Sequence, residues 1–303
     1  MADLSVDLGF IRLKNPVLTA SGTFGYGEEY RPFFPLEELG GIVLKGIYLA
    51  PRPGNPPPRL HETPAGLLNS IGLAGPGVVE LARIIRELAR ETPVPICVNV
   101  CGGDDDEYVA VAESFAAMPE VALLELNISC PNVHQGGRCP AQSEEHTYRL
   151  IRRVKARVDK PLVAKLSPNV PDIAAIALAA EQAGADALSL VNTFLGLAVD
   201  LARRRPVFAN VVAGLSGPAI KPLALRLVWE VCRRVQIPVI GIGGITTGVD
   251  ALEYILVGAA AVQVGTENFV DPQAGPRIVR EIGQEMDRLG IKDLAEIRGK
   301  LAL

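Results

Sequence analysis

The chain has 303 residues, 49% of them hydrophobic and 21% charged, so it can bury a large core and is not a disordered polymer. Thirty Lys and Arg against 34 Asp and Glu give a net charge of −4 with no basic block, which excludes an electrostatic nucleic-acid binder. Five cysteines without a Cys-x-x-Cys pair, three histidines without zinc spacing and no apolar run of ~18 residues exclude a disulfide framework, a resident metal and a membrane span, and with an acidic amino terminus they predict a cytoplasmic protein.

Residues 1–15 read as a short hairpin. The first β-branched apolar run is 16–21 and stops at Ser21-Gly22; the second, 41–47, carries Lys45-Gly46. A proline-rich connection spans 48–76, then a helix over 78–90 whose apolar residues Val78, Leu81, Ala82, Ile85, Leu88 and Ala89 recur near every 3.6 positions. The third run, 95–100, ends in Asn99-Val100, and the acidic residues 104–107 open a helix to about 118, where they complement the helix dipole. The fourth run, 123–129, contains Asn127 and stops at Cys130-Pro131. Helices over 144–158 and 173–183 flank the fifth run, 161–166, which carries Lys165. The sixth, 187–193, passes Val191 and ends in Asn192-Thr193. A second long connection spans 195–223, contains Arg203-Arg204-Arg205, and leads into a helix over 222–235. The seventh run, 238–244, ends in Gly243-Gly244; after a helix over 248–257, the eighth, 261–266, ends in Gly265-Thr266.

Most runs are continuously apolar rather than alternating, as in strands of a parallel sheet covered on both faces. Eight strand–helix units in succession predict an α/β fold, a (β/α)₈ TIM barrel formed by residues 1–303 as one domain, with the hairpin of residues 1–15 closing the barrel floor. An open doubly wound sheet is the alternative, weakened because no Gly-x-Gly-x-x-Gly comes after the first strands. Connections as long as 48–76 and 195–223 in a compact domain usually cover a site.

In such a barrel the chemistry sits at the carboxyl ends of the strands. Asparagine is depleted in strands, yet Asn99, Asn127 and Asn192 stand at three of these ends, with Asn69 and Asn132 on loops. A carboxamide offers uncharged donors and acceptors that match a planar imide ring; tying off strand-end backbone is the plainer use. The glycines after the seventh and eighth strands allow backbone amides to approach a phosphate. Lys45 and Lys165 sit among apolar residues, where a lysine needs a partner, faces a ring that becomes anionic, or serves as a Schiff-base nucleophile. Cys130 differs from Cys97 and Cys232, which read as small core hydrophobes, because Pro131 ends the strand and leaves the thiol at the rim.

The segment Asn127-Ile128-Ser129-Cys130-Pro131-Asn132 resembles the active-site segment of the class 1 dihydroorotate dehydrogenases. Ser21-Gly22-Thr23-Phe24-Gly25, Asn69-Ser70-Ile71-Gly72-Leu73, the run from Gly214 to Pro222, Gly241-Ile242-Gly243-Gly244-Ile245 and Val264-Gly265-Thr266 are similar to further motifs of that family. The likeness is greatest to the catalytic subunits of subclass 1B. The resemblance implies FMN at the barrel mouth, touching Ser21, Lys45, Gly46, Asn99, Asn127, Lys165, Val191, Gly217, Gly243, Gly244, Gly265 and Thr266. It implies dihydroorotate held by Lys45, Asn69, Ser70, Ile71, Gly72, Leu73, Asn127, Asn192 and Thr193, with Cys130 taking the C5 proton while hydride leaves C6. It also implies a partner subunit bearing FAD and a [2Fe–2S] cluster, in a heterotetramer of two plus two that delivers electrons to NAD⁺. A dihydropyrimidine dehydrogenase, a lysine-dependent aldolase using Lys165 and a non-catalytic flavin-binding module are the competing expectations.

Overall fold

The computed structural model describes residues 2–129 and 140–303. Among the described residues, eight strands form one all-parallel sheet: β1 Val17–Thr19, β2 Ile42–Val43, β3 Ile96–Val100, β4 Val121–Asn127, β5 Leu162–Lys165, β6 Ala187–Leu190, β7 Val239–Ile242 and β8 Ala261–Val264. Each pairs with its neighbours in sequence from β2 to β8, and β8 returns to β1 through Val262↔Val17 and its successors. The remaining seam, β1 to β2, has a single bridge, Leu18↔Gly41. Thr19 completes it with its side chain: the buried hydroxyl accepts from the Val43 N–H at 2.9 Å and donates to the Val43 carbonyl at 3.2 Å. The close approach depends on glycine, since a Cβ at Gly40 would lie 2.1 Å from the Asn15 carbonyl oxygen. The sheet is therefore closed, and the fold is a (β/α)₈ barrel rather than an open sheet.

The helices are α1 Val78–Glu91, α2 Asp105–Ala116, α3 Glu144–Lys155, α4 Ile173–Gln182, α5 Lys221–Cys232, α6 Gly248–Leu256, the short α7 Glu267–Val270 and α8 Ala274–Leu289. Their starts carry the expected caps: Asp104 accepts from Glu107 N, and Asp172 from Ala174 N and Ala175 N. One connection departs from a regular strand–helix alternation, and one helix lies outside the predicted ranges. Between β1 and β2 there is no α-helix, only the 3₁₀ turns Glu28–Tyr30 and Leu36–Glu38, because Gly25, Gly27, Pro32 and Pro35 punctuate the segment. At the other end α8, a helix beyond the last predicted strand and outside the predicted helical ranges, buries Ile278, Ile282 and Met286 at four-residue spacing. Each such side chain contributes roughly 1.5–3 kcal/mol by leaving water.

The two long connections are not irregular loops. Leu60–Thr63 and Gly66–Asn69 from the first pair with Val212–Ser216 and Phe194–Leu197 from the second in a four-stranded antiparallel sheet. It has its own small apolar cluster of Leu68, Ala198, Phe208 and Ala213. The hairpin Val6–Asp7 with Arg12–Leu13 precedes β1 and buries Leu8 and Leu13 in the main core.

Candidate active site

A cavity of about 540 Å³ lies at the carboxyl ends of the barrel strands, within the ~300–1,000 Å³ usual for ligand sites. Its floor is made of strand ends and its roof of the four-stranded sheet. Ser21 follows β1, Lys45 and Gly46 follow β2, Asn99 and Asn127 lie in β3 and β4, Lys165 ends β5, and Val191, Asn192 and Thr193 follow β6; all line the cavity. So do Gly243 and Gly244 after β7, Gly265 and Thr266 after β8, and Gly217 beyond the roof strand Val212–Ser216. From the roof connection come Asn69, Ile71, Gly72 and Leu73. Ser70 is not on the wall: it is buried, and its carbonyl and hydroxyl accept from Asn55 Nδ2 at 3.0 and 3.2 Å while Asn210 Nδ2 reaches the hydroxyl at 3.2 Å. It thus ties the two roof connections together. Cys130, together with Asn132, His134 and Cys139, lies outside the described residues.

The wall is strongly polarised. Lys165 Nζ donates to Ser21 Oγ at 3.0 Å and stands 3.6 Å from Glu125 Oε1, both side chains of this ion pair being at most 5% exposed. Burial pushes the Lys45 ammonium below its usual value, the nearby Arg59 adds to that, and Glu29 opposes it. Two of the asparagines are bonded directly, Asn127 Nδ2 donating to Asn99 Oδ1 at 3.2 Å, while Asn192 Nδ2 donates to Ser129 Oγ at 2.7 Å. Asn169 fixes the segment after β6, donating to the Thr193 carbonyl at 2.9 Å and accepting from Leu195 N at 3.1 Å.

The glycine end of the cavity is held from outside. Tyr254 of α6 donates its hydroxyl to the Gly243 carbonyl at 2.7 Å. Asp250, at the third position of α6 in a capping box with Thr247, accepts from Thr246 N, Thr246 Oγ1 and Thr247 N and pairs with Lys221 at the start of α5. Burial alone would raise the Asp250 pKa; the bonds from Lys221, Thr246 and Thr247 bring it down to about 2. Gly244 has φ +67° and a Cβ there would meet the Lys221 Cβ and backbone N at 2.8 Å, so only glycine lets this turn pack so closely against the start of α5.

Leu67, Leu195, Asn210, Ile220 and Phe269 also line the cavity and were not foreseen. Most are apolar, and nothing in an isolated apolar residue marks it as wall. Glu125, Ser189 and Gln263 were missed as well, although each is a polar residue inside an apolar strand, which is the signal that would have found them.

A closed barrel with a roofed cavity lined by lysines, carboxamides and glycines is the architecture of a barrel enzyme acting on a small, flat, polar ligand. The family model described as dihydroorotate dehydrogenase matches residues 3–286, and this chain belongs to the dihydroorotate dehydrogenase family. It is 51% identical over 299 residues to the dihydroorotate dehydrogenase B (NAD(+)) catalytic subunit of Geobacter sulfurreducens, covering 99% of this chain and 98% of the relative. To the protein of the same name from Bacteroides thetaiotaomicron it is 47% identical over 301 residues, covering 99% of both. The crystal structure of DHODH in complex with ferulenol from Eimeria tenella superposes with a TM-score of 0.82 at 22% identity, over 98% of this chain and 88% of that one, which is a likeness of fold.

Proposed function

We propose that this chain is the catalytic subunit that oxidises (S)-dihydroorotate to orotate in de novo pyrimidine (UMP) biosynthesis, in the cytoplasm, with FMN at the barrel mouth. The observation that carries the reading is the convergence, on one cavity, of Lys45, Lys165, Asn99, Asn127, Asn192 and the Gly243-Gly244 turn, in a chain about half identical to proteins of that name. The lining fits a flavin mononucleotide. Carboxamides supply neutral donors and acceptors for imide edges, Lys165 supplies a buried cation, and Gly243 and Gly244, which line the cavity without side chains, leave backbone accessible to a phosphate. The flavin, when bound, supplies the two-electron acceptor that the polypeptide lacks.

The chain's own residues then have four tasks. Lys45 attracts the substrate carboxylate. Asn69, Asn127, Asn192 and Thr193, with the turn Ser70 to Leu73, hold the ring, Ser70 acting from behind the wall. Cys130 takes the proton from C5 as general base. The roof sheet excludes water, and orientation supplies much of the rate. Residues 1–303 act as one domain with 1–15 closing the barrel floor. Electrons pass to a partner subunit carrying FAD and a [2Fe–2S] cluster, in a heterotetramer of two plus two, and on to NAD⁺. The relatives' names support dihydroorotate oxidation over a dihydropyrimidine dehydrogenase. The test is the visible spectrum of the purified protein before and after anaerobic dihydroorotate: a flavin spectrum that bleaches supports the reading. A colourless protein, or a yellow one that bleaches with a dihydrouracil but not with dihydroorotate, overturns it.

A further inference from the structure

One layer below the cavity wall, polar side chains from non-adjacent strands meet on a single carboxylate. Glu125 of β4 is 1% exposed and is not itself on the wall. Its Oε1 accepts from Asn99 Nδ2 of β3 at 2.7 Å, and its Oε2 accepts from Ser189 Oγ of β6 at 2.8 Å and Gln263 Nε2 of β8 at 2.7 Å. Neither β6 nor β8 is a sheet neighbour of β4, so these bonds cross the barrel interior. Lys165 completes the shell at 3.6 Å. A carboxylate this deep is costly unless it is both paired and hydrogen-bonded, and this one is both.

A carboxylate accepts hydrogen bonds and donates none. Asn99 must therefore turn Nδ2 toward Glu125, which leaves its Oδ1 to accept from Asn127 Nδ2 and the Cys101 thiol. Asn127 in turn offers Oδ1 to Ser129 Oγ at 3.0 Å; Ser129, having given its proton, accepts from Asn192 Nδ2 at 2.7 Å. Asn192 Oδ1 is left to accept from Thr193 N at 2.8 Å. Every link from Asn192 to Glu125 points the same way. Gln263 shows how strongly the carboxylate dictates direction: with Nε2 given to Glu125, its buried Oε1 has no hydrogen-bond partner among the described residues.

We infer that Glu125 is a positioning residue: it sets the direction of the asparagine chain, and so decides which amide atoms remain for the ligand, while partly neutralising Lys165. The inference rests on the proposed site, in which those asparagines and Lys165 face FMN and dihydroorotate. Glutamine at this position is isosteric but can donate as well as accept, so the chain loses its fixed direction and Lys165 its counter-charge.

The test uses the FMN-loaded enzyme and two readouts other than turnover: orotate Kd, from the perturbation of the oxidised flavin spectrum, and the flavin midpoint potential. In Glu125→Gln the orotate Kd rises about tenfold, the effect of losing one well-made hydrogen bond, and the potential becomes more positive, at wild-type flavin content per chain. A purely structural Glu125 would lower flavin content or thermal stability and leave both readouts of the loaded molecules at wild-type values; that result overturns the inference. If Glu125→Gln does not accumulate, Ser129→Ala interrupts the same chain between Asn127 and Asn192. It then weakens orotate and leaves the potential unchanged, whereas wild-type orotate affinity there overturns the inference. Asn192→Ala is the control on the site itself: unchanged orotate affinity in that variant overturns the proposed site, and the inference with it.

Discussion

Lys45 is held half-buried at the end of β2, with Arg59 nearby and Glu29 as its opposite charge. Its ammonium is charged below its pKa and neutral above it, and that pKa lies below the usual ~10.4 of a free lysine. Orotate binding should therefore weaken on the alkaline side at a lower pH than an exposed lysine would impose, and Lys45→Met should flatten that limb while weakening binding at neutral pH. A Kd that is level from neutrality to about pH 10, near the free-lysine value, would remove Lys45 from that task. For Cys130 the expectation is kinetic: Cys130→Ala slows anaerobic flavin reduction by dihydroorotate roughly 10²- to 10⁴-fold, the usual share of a general base. A rate within a few fold of wild type would show that the proton leaves elsewhere. The residues legible in the sequence were those that break a pattern at its edge. Asn99, Asn127, Asn192 and the two lysines stand where an apolar run stops, and all line the cavity. Glu125 and Gln263 stand out as polar residues inside apolar strands, but where both faces of a strand are apolar the alternation that would say which face they take has no contrast.

At the scale of elements, α6 is the clamp on the glycine end of the cavity. Asp250 joins the β7–α6 turn to the first residue of α5, and its folded pKa of about 2 lies below the ~3.9 of an unfolded aspartate. Because the folded value is the lower one, its stabilisation is fully present above about pH 4 and is lost as pH falls toward about 2, amounting to roughly 2 kcal/mol. Asp250→Asn should lower the Tm at neutral pH, and the gap from wild type should close across that acidic window in thermal melts; a gap that stays constant through it contradicts this account. The strands were legible because β-branched runs bounded by glycine and proline are short and frequent here, and seven of the observed strands fall inside the predicted runs, β4 starting two residues earlier. The roof sheet was not. Leu60–Thr63 is mostly exposed, and Gly66–Asn69 with Val212–Ser216 carry glycines, so propensity argued for loop while pairing across the cavity argued for strand. The segment between β1 and β2 failed in the opposite sense, the strand–helix rhythm implying a helix where prolines forbid one.

The whole molecule is a closed barrel whose described residues include no helix long and apolar enough to cross a membrane. On the proposed function, the chain performs one half of an oxidation and hands on the electrons. Purified alone and loaded with FMN, it should bleach with dihydroorotate yet fail to produce NADH from NAD⁺; adding the partner subunit should restore NADH formation, read by the near-ultraviolet absorbance of the reduced nicotinamide. NADH formation by the isolated chain would contradict the division of labour. The ceiling of the cavity has a consequence for biogenesis. Its central pairing joins Asn69 to Gly214, 145 residues apart. A ribosome must finish six of the eight barrel strands before the second half of that ceiling exists, and contacts so distant along the chain are slow to form. A nascent polypeptide halted before then would lack β7 and β8 as well as half of that ceiling, so basin and cover are both completed only late in synthesis.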